Sequence, residues 1–113
     1  MEPMTRIYLL DGQGQRFFGE GPCRLLLAVE ETGSLRAAAQ SMGMAYTKAL
    51  KLLNRAERAW GCPLTCRQTG GRDGGGSRLT PQGKELLEKY ATYRDRCVQA
   101  NRRIYWEIFL SRP

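Results

Sequence analysis

The side chains best suited to chemistry in this 113-residue sequence are four cysteines, and no histidine accompanies them. Cys62 and Cys66 stand four residues apart, but without a second pair or a histidine they do not complete the ligand set of a zinc site. The lack of histidine also excludes the serine–histidine and cysteine–histidine pairs on which many hydrolases depend. We therefore expect no metal, no cofactor and no enzymatic activity.

A disulfide framework is the alternative use for four cysteines in a chain of this size. It would require an exported protein, yet the amino terminus carries no signal pattern. The longest aliphatic run, Leu25 to Val29, is far too short to span a bilayer. We expect reduced, mostly buried thiols in a cytoplasmic protein that does not bind a membrane.

A glycine-rich run from Gly70 to Gly76 raises the question of a phosphate-binding loop. The stretch from Gly71 to Arg78 imitates the glycine spacing of a P-loop, but it places Ser77 where that loop needs its lysine. A β-prone segment also follows the run, where a P-loop requires a helix. Glycine-rich sequence between two β-prone segments instead predicts the tip of a β-hairpin.

Basic residues outnumber acidic ones by 18 to 11, which gives a net charge of +7. Between Arg36 and Arg78 there are eight basic residues and two acidic ones, so this stretch alone carries +6. A positive field this concentrated attracts a polyanion, and the release of counterions makes the contacts favourable and sensitive to salt. The alternative is a basic face that is exposed only to solvent. The elements predicted for the same stretch distinguish between the two.

Two short helices joined by a glycine turn are predicted within this basic stretch. Ser34 is a good N-cap for a helix from Leu35 to about Ser41, and the three alanines of that helix let another helix approach closely. Gly43 ends it. A further helix from about Ala45 to Trp60 has apolar residues on one face and basic residues on the other. This pattern predicts a helix-turn-helix, whose second helix fits a DNA major groove.

The flanking sequence predicts the remaining elements of the domain. We expect a hairpin over residues 6–18, a helix that ends at Thr32, and a wing hairpin over residues 64–79. Thr80 as a cap and Pro81 at the first helical position then start a last helix, which extends to about Leu110. The expected fold class is mainly α with small β-hairpins: one winged helix-turn-helix domain over residues 1–113 with a long carboxyl-terminal dimerisation helix.

Apolar residues along the last helix recur at steps of four and three, which is the spacing of a seam between paired helices. A helix of about 28 residues, or ~40 Å, overhangs so small a domain, and its uncovered apolar row would be a liability for a monomer. We therefore expect a symmetric homodimer. The alternative is a helix that folds back or breaks near residues 101–103. The predicted interface residues are Leu86, Tyr90, Tyr93, Cys97, Ile104 and Ile108.

The stretch from Gly33-Ser34-Leu35 to Leu79-Thr80-Pro81-Gln82-Gly83 resembles the winged helix of LysR-type regulators. It is more closely similar to the amino-terminal DNA-binding domain of the ModE family of molybdate-responsive regulators. The points of likeness are Gly33-Ser34, residues 38–43, Tyr46, Ala49, Asn54, the glycine-rich run 69–76, Leu79-Thr80 and Gly83.

The resemblance implies a dimer whose two recognition helices read the halves of a near-palindromic operator. It also implies that Tyr46, Thr47, Lys48 and Lys51 are the recognition positions. Ala45 departs from the family, which usually has serine at that position. We further expect this chain, which stops at Pro113, to lack the molybdate-binding domains of full-length family members.

Taken together, these patterns predict a sequence-specific regulator that binds double-stranded DNA as a homodimer. A winged helix that docks a protein partner, with residues 105–110 as its anchor, is the alternative from another functional class. The predicted DNA-binding residues are Ser34, Arg36, Tyr46, Thr47, Lys48, Lys51, Arg55, Arg67, Arg72 and Arg78.

Overall fold

The computed structural model describes residues 1–68 and 76–112. It is mainly helical with two antiparallel hairpins, which confirms the expected fold class. A single π-helical turn, Trp106–Leu110, continues the last helix. The elements in chain order are β1 (Leu9–Leu10), β2 (Arg16–Phe18), α1 (Glu20–Thr32), α2 (Leu35–Ser41), α3 (Tyr46–Trp60), β3 (Thr65–Gln68), β4 (Gly76–Leu79) and α4 (Pro81–Tyr105).

Local signals account for the ends of the helices. The Ser34 hydroxyl accepts a hydrogen bond from the Ala37 amide (2.9 Å) at the start of α2, and the Thr80 hydroxyl accepts one from the Gly83 amide (3.0 Å) at the start of α4. Gly33 (φ 81°) closes α1 in the left-handed conformation that only glycine adopts without strain. Each of these boundaries can therefore be read from the few residues around it.

The core lies between the first three helices and the start of α4. Leu25, Leu26 and Val29 of α1 are buried there, and the alanines of α2 and α3 face them. Alanine keeps the helix axes close because it has almost no side chain beyond Cβ. The buried alanines of α2 and α3 are Ala38, Ala39, Ala49 and Ala56.

The second hairpin is attached to the helical core at its base. The Ser77 amide donates to the Gly33 carbonyl (2.6 Å), and the Leu79 amide donates to Glu30 Oε1 (3.1 Å). Immediately before β3, the Leu64 amide donates to Glu57 Oε2 (2.8 Å) of α3. The described part of the wing is thus fixed to the end of α1 and to α3.

The molecule is elongated, with extents of 66 × 29 × 25 Å, because α4 projects beyond the core. Leu86 and Tyr90, near its start, are each only 1% exposed within the chain itself. This corrects the prediction that both contribute to a dimer interface, since the same apolar spacing serves the chain's own core. The helix does not break at residues 101–103; it remains α-helical to Tyr105.

The amino-terminal segment runs along α4. The Tyr90 hydroxyl donates to the Ile7 carbonyl (2.8 Å), and the Asn101 amide donates to Thr5 Oγ1 (2.5 Å). The first strand was expected from residue 6, but only Leu9–Leu10 pairs with β2. The preceding residues therefore use α4, and not a neighbouring strand, for their polar contacts.

The cysteines are free thiols, but the expectation that most are buried is wrong. Cys23 is buried, Cys62 and Cys97 are half-buried, and Cys66 is exposed. Cys66 stands on a two-stranded hairpin, which can bury only the face at its base. Among the described residues, no helix has the length and hydropathy needed to cross a membrane.

Candidate nucleic-acid interface

Helix α3 separates its apolar and basic residues cleanly. Ala49, Leu53 and Ala56 face the core, and their spacing marks a single stripe along the helix. The predicted contact residues Thr47, Lys48, Lys51 and Arg55 are all exposed on the remaining surface. The helix thus presents a cationic surface without giving up its packing.

Two further residues belong to this surface although the sequence analysis did not place them among the contact residues. Asn54 and Arg58 are exposed, and with Thr47 and Lys51 they follow steps of four, three and four. Residues with this spacing lie along one line of a helix. The spacing itself was the signal that could have found Asn54, whose amide is suited to reading adenine.

Arg36 and Tyr46 bring the two helices of the motif together. The Arg36 guanidinium lies over the Tyr46 ring, with Cζ 4.4 Å from the ring centroid. Arg36 is exposed in the first turn of α2, whereas Tyr46 opens α3 and packs partly against the core. Two predicted DNA-binding residues are therefore in direct contact.

Both helices of the motif begin with positive potential. Neither α2 nor α3 has an acidic residue in its first turn, where the helix dipole is positive, while Arg36 and Lys48 stand in those turns. Ala45, at the start of α3, offers no side-chain cap to the first amides. Cations at these positions oppose the dipole, so they do not serve local helix stability and instead favour an external anion.

Ser34 has a structural task at this site. Its hydroxyl already accepts from the Ala37 amide, so that oxygen is occupied in capping α2. The residue is half-buried beside Gly33, to which the wing is hydrogen-bonded. A phosphate contact from Ser34 would have to come from its amide or from its hydroxyl proton, because phosphate oxygens only accept.

The wing presents its two described arginines on opposite faces. In the strand register Cys66 pairs with Arg78, and Arg67 pairs with Ser77. Because side chains alternate along a strand, Arg67 and Arg78 point to opposite sides of the hairpin. Arg72 lies outside the described residues. The structure therefore brings Arg36 and Tyr46 together but does not bring Arg67 and Arg78 together.

Arg78 is held by its own hairpin. Nη1 and Nε of Arg78 lie 2.9 and 3.0 Å from the Gln68 side-chain amide, whose oxygen accepts from both when the amide is oriented with that oxygen toward Arg78. A neutral amide leaves the charge of the arginine uncancelled. Arg67 is exposed on the other face.

A chain of contacts links the wing to the helix-turn-helix. Ser77 is hydrogen-bonded to Gly33, Gly33 immediately precedes the cap of α2, and Arg36 of α2 contacts Tyr46 of α3. Within residues 1–68 and 76–112, none of the basic residues of α2, α3, β3 or β4 forms a salt bridge. Their charge is therefore directed to solvent or to a bound anion.

The groups with altered pKa values lie elsewhere, where α1 meets α4. Burial raises the pKa of the Cys23 thiol and raises the pKa of Tyr90 to about 12. A hydrogen bond to Glu20 (2.8 Å) raises the pKa of Arg94. These shifts follow from packing and an ion pair, so the cluster stabilises the fold and is not part of the basic surface.

Comparison with known proteins places the basic surface within a characterised kind of domain. A family described as bacterial regulatory helix-turn-helix proteins of the lysR family matches residues 23–84. The match begins in α1, includes α2, α3 and the wing, and ends in the first turn of α4. It therefore covers more than half of the chain.

Individual relatives are similar over nearly the same region. A molybdenum transport protein ModE from Herbaspirillum seropedicae is 44% identical over 83 residues, which are 74% of this chain and 29% of that protein. A molybdenum-pterin-binding protein MopB from Rhodobacter capsulatus is 34% identical over 86 residues, 76% of this chain and 32% of that protein. A transcriptional regulator ModE from Haemophilus influenzae is 36% identical over 67 residues, 59% of this chain and 26% of that protein. The chain thus spans less than a third of the length of these relatives.

Proposed function

Because the chain belongs to the lysR family of bacterial regulatory helix-turn-helix proteins, we propose that it is a DNA-binding regulator of transcription that recognises a specific operator. The observation that carries the proposal is the row of exposed basic residues on α3, together with Arg36 at the start of α2 and Arg67 and Arg78 of the wing. Arg36 and Lys48 oppose the dipoles of their own helices, and none of these cations has an acidic partner among the described residues. A DNA backbone supplies the missing negative charge.

The residues of this surface divide by chemistry into two roles. Thr47, Lys48, Lys51 and Asn54 lie on the outward part of α3 near its start, where side chains reach base edges in a major groove. Lysine suits guanine and asparagine suits adenine. The arginines at the margins make contacts with phosphates, which set register and affinity but not sequence. They are Arg36, Arg55, Arg67 and Arg78.

The chain acts as a homodimer in this proposal. Beyond the core, α4 leaves Tyr93 (53% exposed) and Ile104 (50%) uncovered, with Cys97 half-buried beside them, and the π-helical turn that continues it leaves Ile108 (68%) uncovered. Their steps of four, seven and four match a helix-pairing seam that starts one turn beyond Tyr90. A second copy packed along this seam covers the apolar row and presents two recognition helices for a dyad-symmetric site, roughly 34 Å apart on DNA.

Selection of bound duplexes from a random pool tests the proposal directly. We expect a dyad-symmetric consensus with half-sites one helical turn apart. The name of the Herbaspirillum seropedicae relative refers to molybdenum transport, which makes sequences upstream of such genes the first natural duplexes to compare with the consensus. Recovery of no consensus, with equal affinity for every duplex, would contradict sequence-specific recognition.

A protein-docking module is the second candidate function. Its supporting observation is the group of exposed apolar residues on the final turn, Trp106, Ile108, Phe109 and Leu110. A binding titration at several salt concentrations separates the two candidates, because only DNA binding gives a steep linear fall of log affinity with log salt.

A further inference from the structure

Tyr46 and Arg36 meet across the turn of the helix-turn-helix, and their contact gives Tyr46 a role different from base reading. The Arg36 guanidinium lies over the Tyr46 ring, with Cζ 4.4 Å from the ring centroid. A cation over an aromatic face at this distance is attracted to the ring, and arginine makes such contacts more often than lysine. The contact joins the first turn of α2 to the first residue of α3.

The side chains of Tyr46 and Arg36 differ in conformational freedom. Tyr46 is half-buried and packs against the core, so the position of its ring is fixed by the fold. Arg36 is exposed and, within the described residues, forms no ion pair. Contact with the ring therefore restrains this long side chain, which would otherwise sample many rotamers.

Where an aromatic ring covers one face of a guanidinium, its N–H groups, which lie in the plane, remain available to donate two parallel hydrogen bonds to phosphate oxygens. The exposed Arg36 is therefore suited to a phosphate contact while it lies over Tyr46.

From this geometry we propose that Tyr46 is a positioning residue that holds Arg36 in place for a DNA phosphate and does not itself read a base. The inference rests on the proposed DNA-binding function. Tyr46 is then no longer one of the recognition positions, which begin at Thr47. The Arg36–Tyr46 pair instead provides a fixed contact with the DNA backbone at the junction of the two helices.

A double-mutant cycle tests the proposal with Arg36→Ala, Tyr46→Leu and the combined variant, measured on the selected duplex and on a random one. Tyr46→Leu should weaken binding to both duplexes by the same factor, about five- to tenfold. In the Arg36→Ala background it should change affinity by less than about twofold, because the ring then has nothing to hold. Arg36→Ala should also lower the salt slope by about 0.9.

Two conservative variants exclude a merely structural explanation. Tyr46→Phe keeps the ring and should restore most of the affinity that Tyr46→Leu loses. Arg36→Lys, at an exposed position that does not affect folding, keeps the charge but loses the planar fork, and should weaken binding several-fold. Tyr8→Leu is the matched control, because it removes an Arg16–Tyr8 stack of the same kind (4.0 Å) in the first hairpin and should leave DNA affinity unchanged.

The outcomes separate this inference from the function on which it rests. If Tyr46→Leu weakens only the selected duplex, and does so equally in the Arg36→Ala background, Tyr46 reads a base and the inference is wrong. Wild-type affinity for Arg36→Lys would also overturn it. If the wild-type chain binds neither duplex with a salt-dependent affinity, the proposed function itself fails.

Discussion

Tyr90 shows how a single side chain can anchor the fold away from the basic surface. It is buried, packs edge-on against Phe18 with ring centroids 5.1 Å apart, and donates its hydroxyl proton to the Ile7 carbonyl. Burial, reinforced by the nearby Glu20 carboxylate, raises its pKa to about 12. The neutral phenol is thus the form that the folded chain stabilises.

This shift predicts a loss of stability in strong base. A raised pKa in the folded state means that the contribution of Tyr90 is complete below about pH 10 and disappears as the pH rises toward 12. In Tyr90→Phe that contribution is absent. The variant should be less stable than wild type by about 1 kcal/mol near neutral pH, because the hydrogen bond is lost. By pH 12 the wild type should be less stable than Tyr90→Phe. Urea unfolding at a series of pH values measures the free energy of unfolding of both proteins, and a difference that does not change with pH would contradict the prediction.

A second residue-scale prediction concerns base recognition. Lys48 is exposed in the first turn of α3, so Lys48→Ala should lower affinity for the selected duplex more than for random DNA, by about tenfold or more. Fluorescence anisotropy with both duplexes measures the ratio. Lys89→Ala serves as the matched control, because Lys89 is an exposed lysine of α4 paired with Glu85. Equal losses on both duplexes would make Lys48 a phosphate contact.

At the scale of elements, α2 depends on its cap more than the longer helices do. It has seven residues, and Ser34 supplies its one side-chain cap. Ser34→Ala removes the acceptor for the Ala37 amide and should lower the free energy of unfolding by about 1 kcal/mol. Thermal or urea unfolding measures the change, and an unchanged midpoint would show that water replaces the hydroxyl without cost.

At the start of α3, a cap can be added where none is present. Ala45 occupies the N-cap with extended backbone dihedral angles (φ −64°, ψ 141°) but has no acceptor to offer. Ala45→Ser adds one and should raise the free energy of unfolding by up to about 1 kcal/mol. The same unfolding experiment tests it. A lower stability would mean that the serine hydroxyl cannot reach the amides of the first turn.

At the scale of the whole molecule, the proposed homodimer pairs through the overhanging part of the last helix. Ile104→Asp combined with Ile108→Asp places two charges on the proposed seam at positions that the chain itself leaves exposed. We expect light scattering to give twice 12.8 kDa for the wild type and 12.8 kDa for the variant, with the helical content unchanged. Operator affinity should fall steeply, because one half-site is lost.

A matched surface change isolates the seam from a general effect of charge. Leu27 on α1 is 53% exposed and lies outside α4, so Leu27→Asp should leave the mass of the assembly unchanged. If the double variant of α4 also remains a dimer, the interface lies on another surface and the proposed seam is wrong.

The local elements could be predicted because their signals are local. Ser34 before an alanine run, Gly61 after Trp60, and Thr80 before Pro81 each fix a helix end through the backbone of the next few residues. The basic surface of α3 followed from helical spacing alone. The same spacing reaches Asn54, which was not among the predicted contact residues because an uncharged side chain adds nothing to the charge pattern.

The sequence by itself determined the order of the elements, their fold class and the sign of the charge on the recognition surface, since propensity, caps and charge act within a few residues. Only the tertiary structure decided which apolar residues of α4 belong to the core, that Arg67 and Arg78 face opposite ways, and that Arg36 rests on Tyr46. The physical reason is that an apolar period of three and four residues is identical for a buried face and for an interface. Contacts between elements far apart in the chain choose between the two.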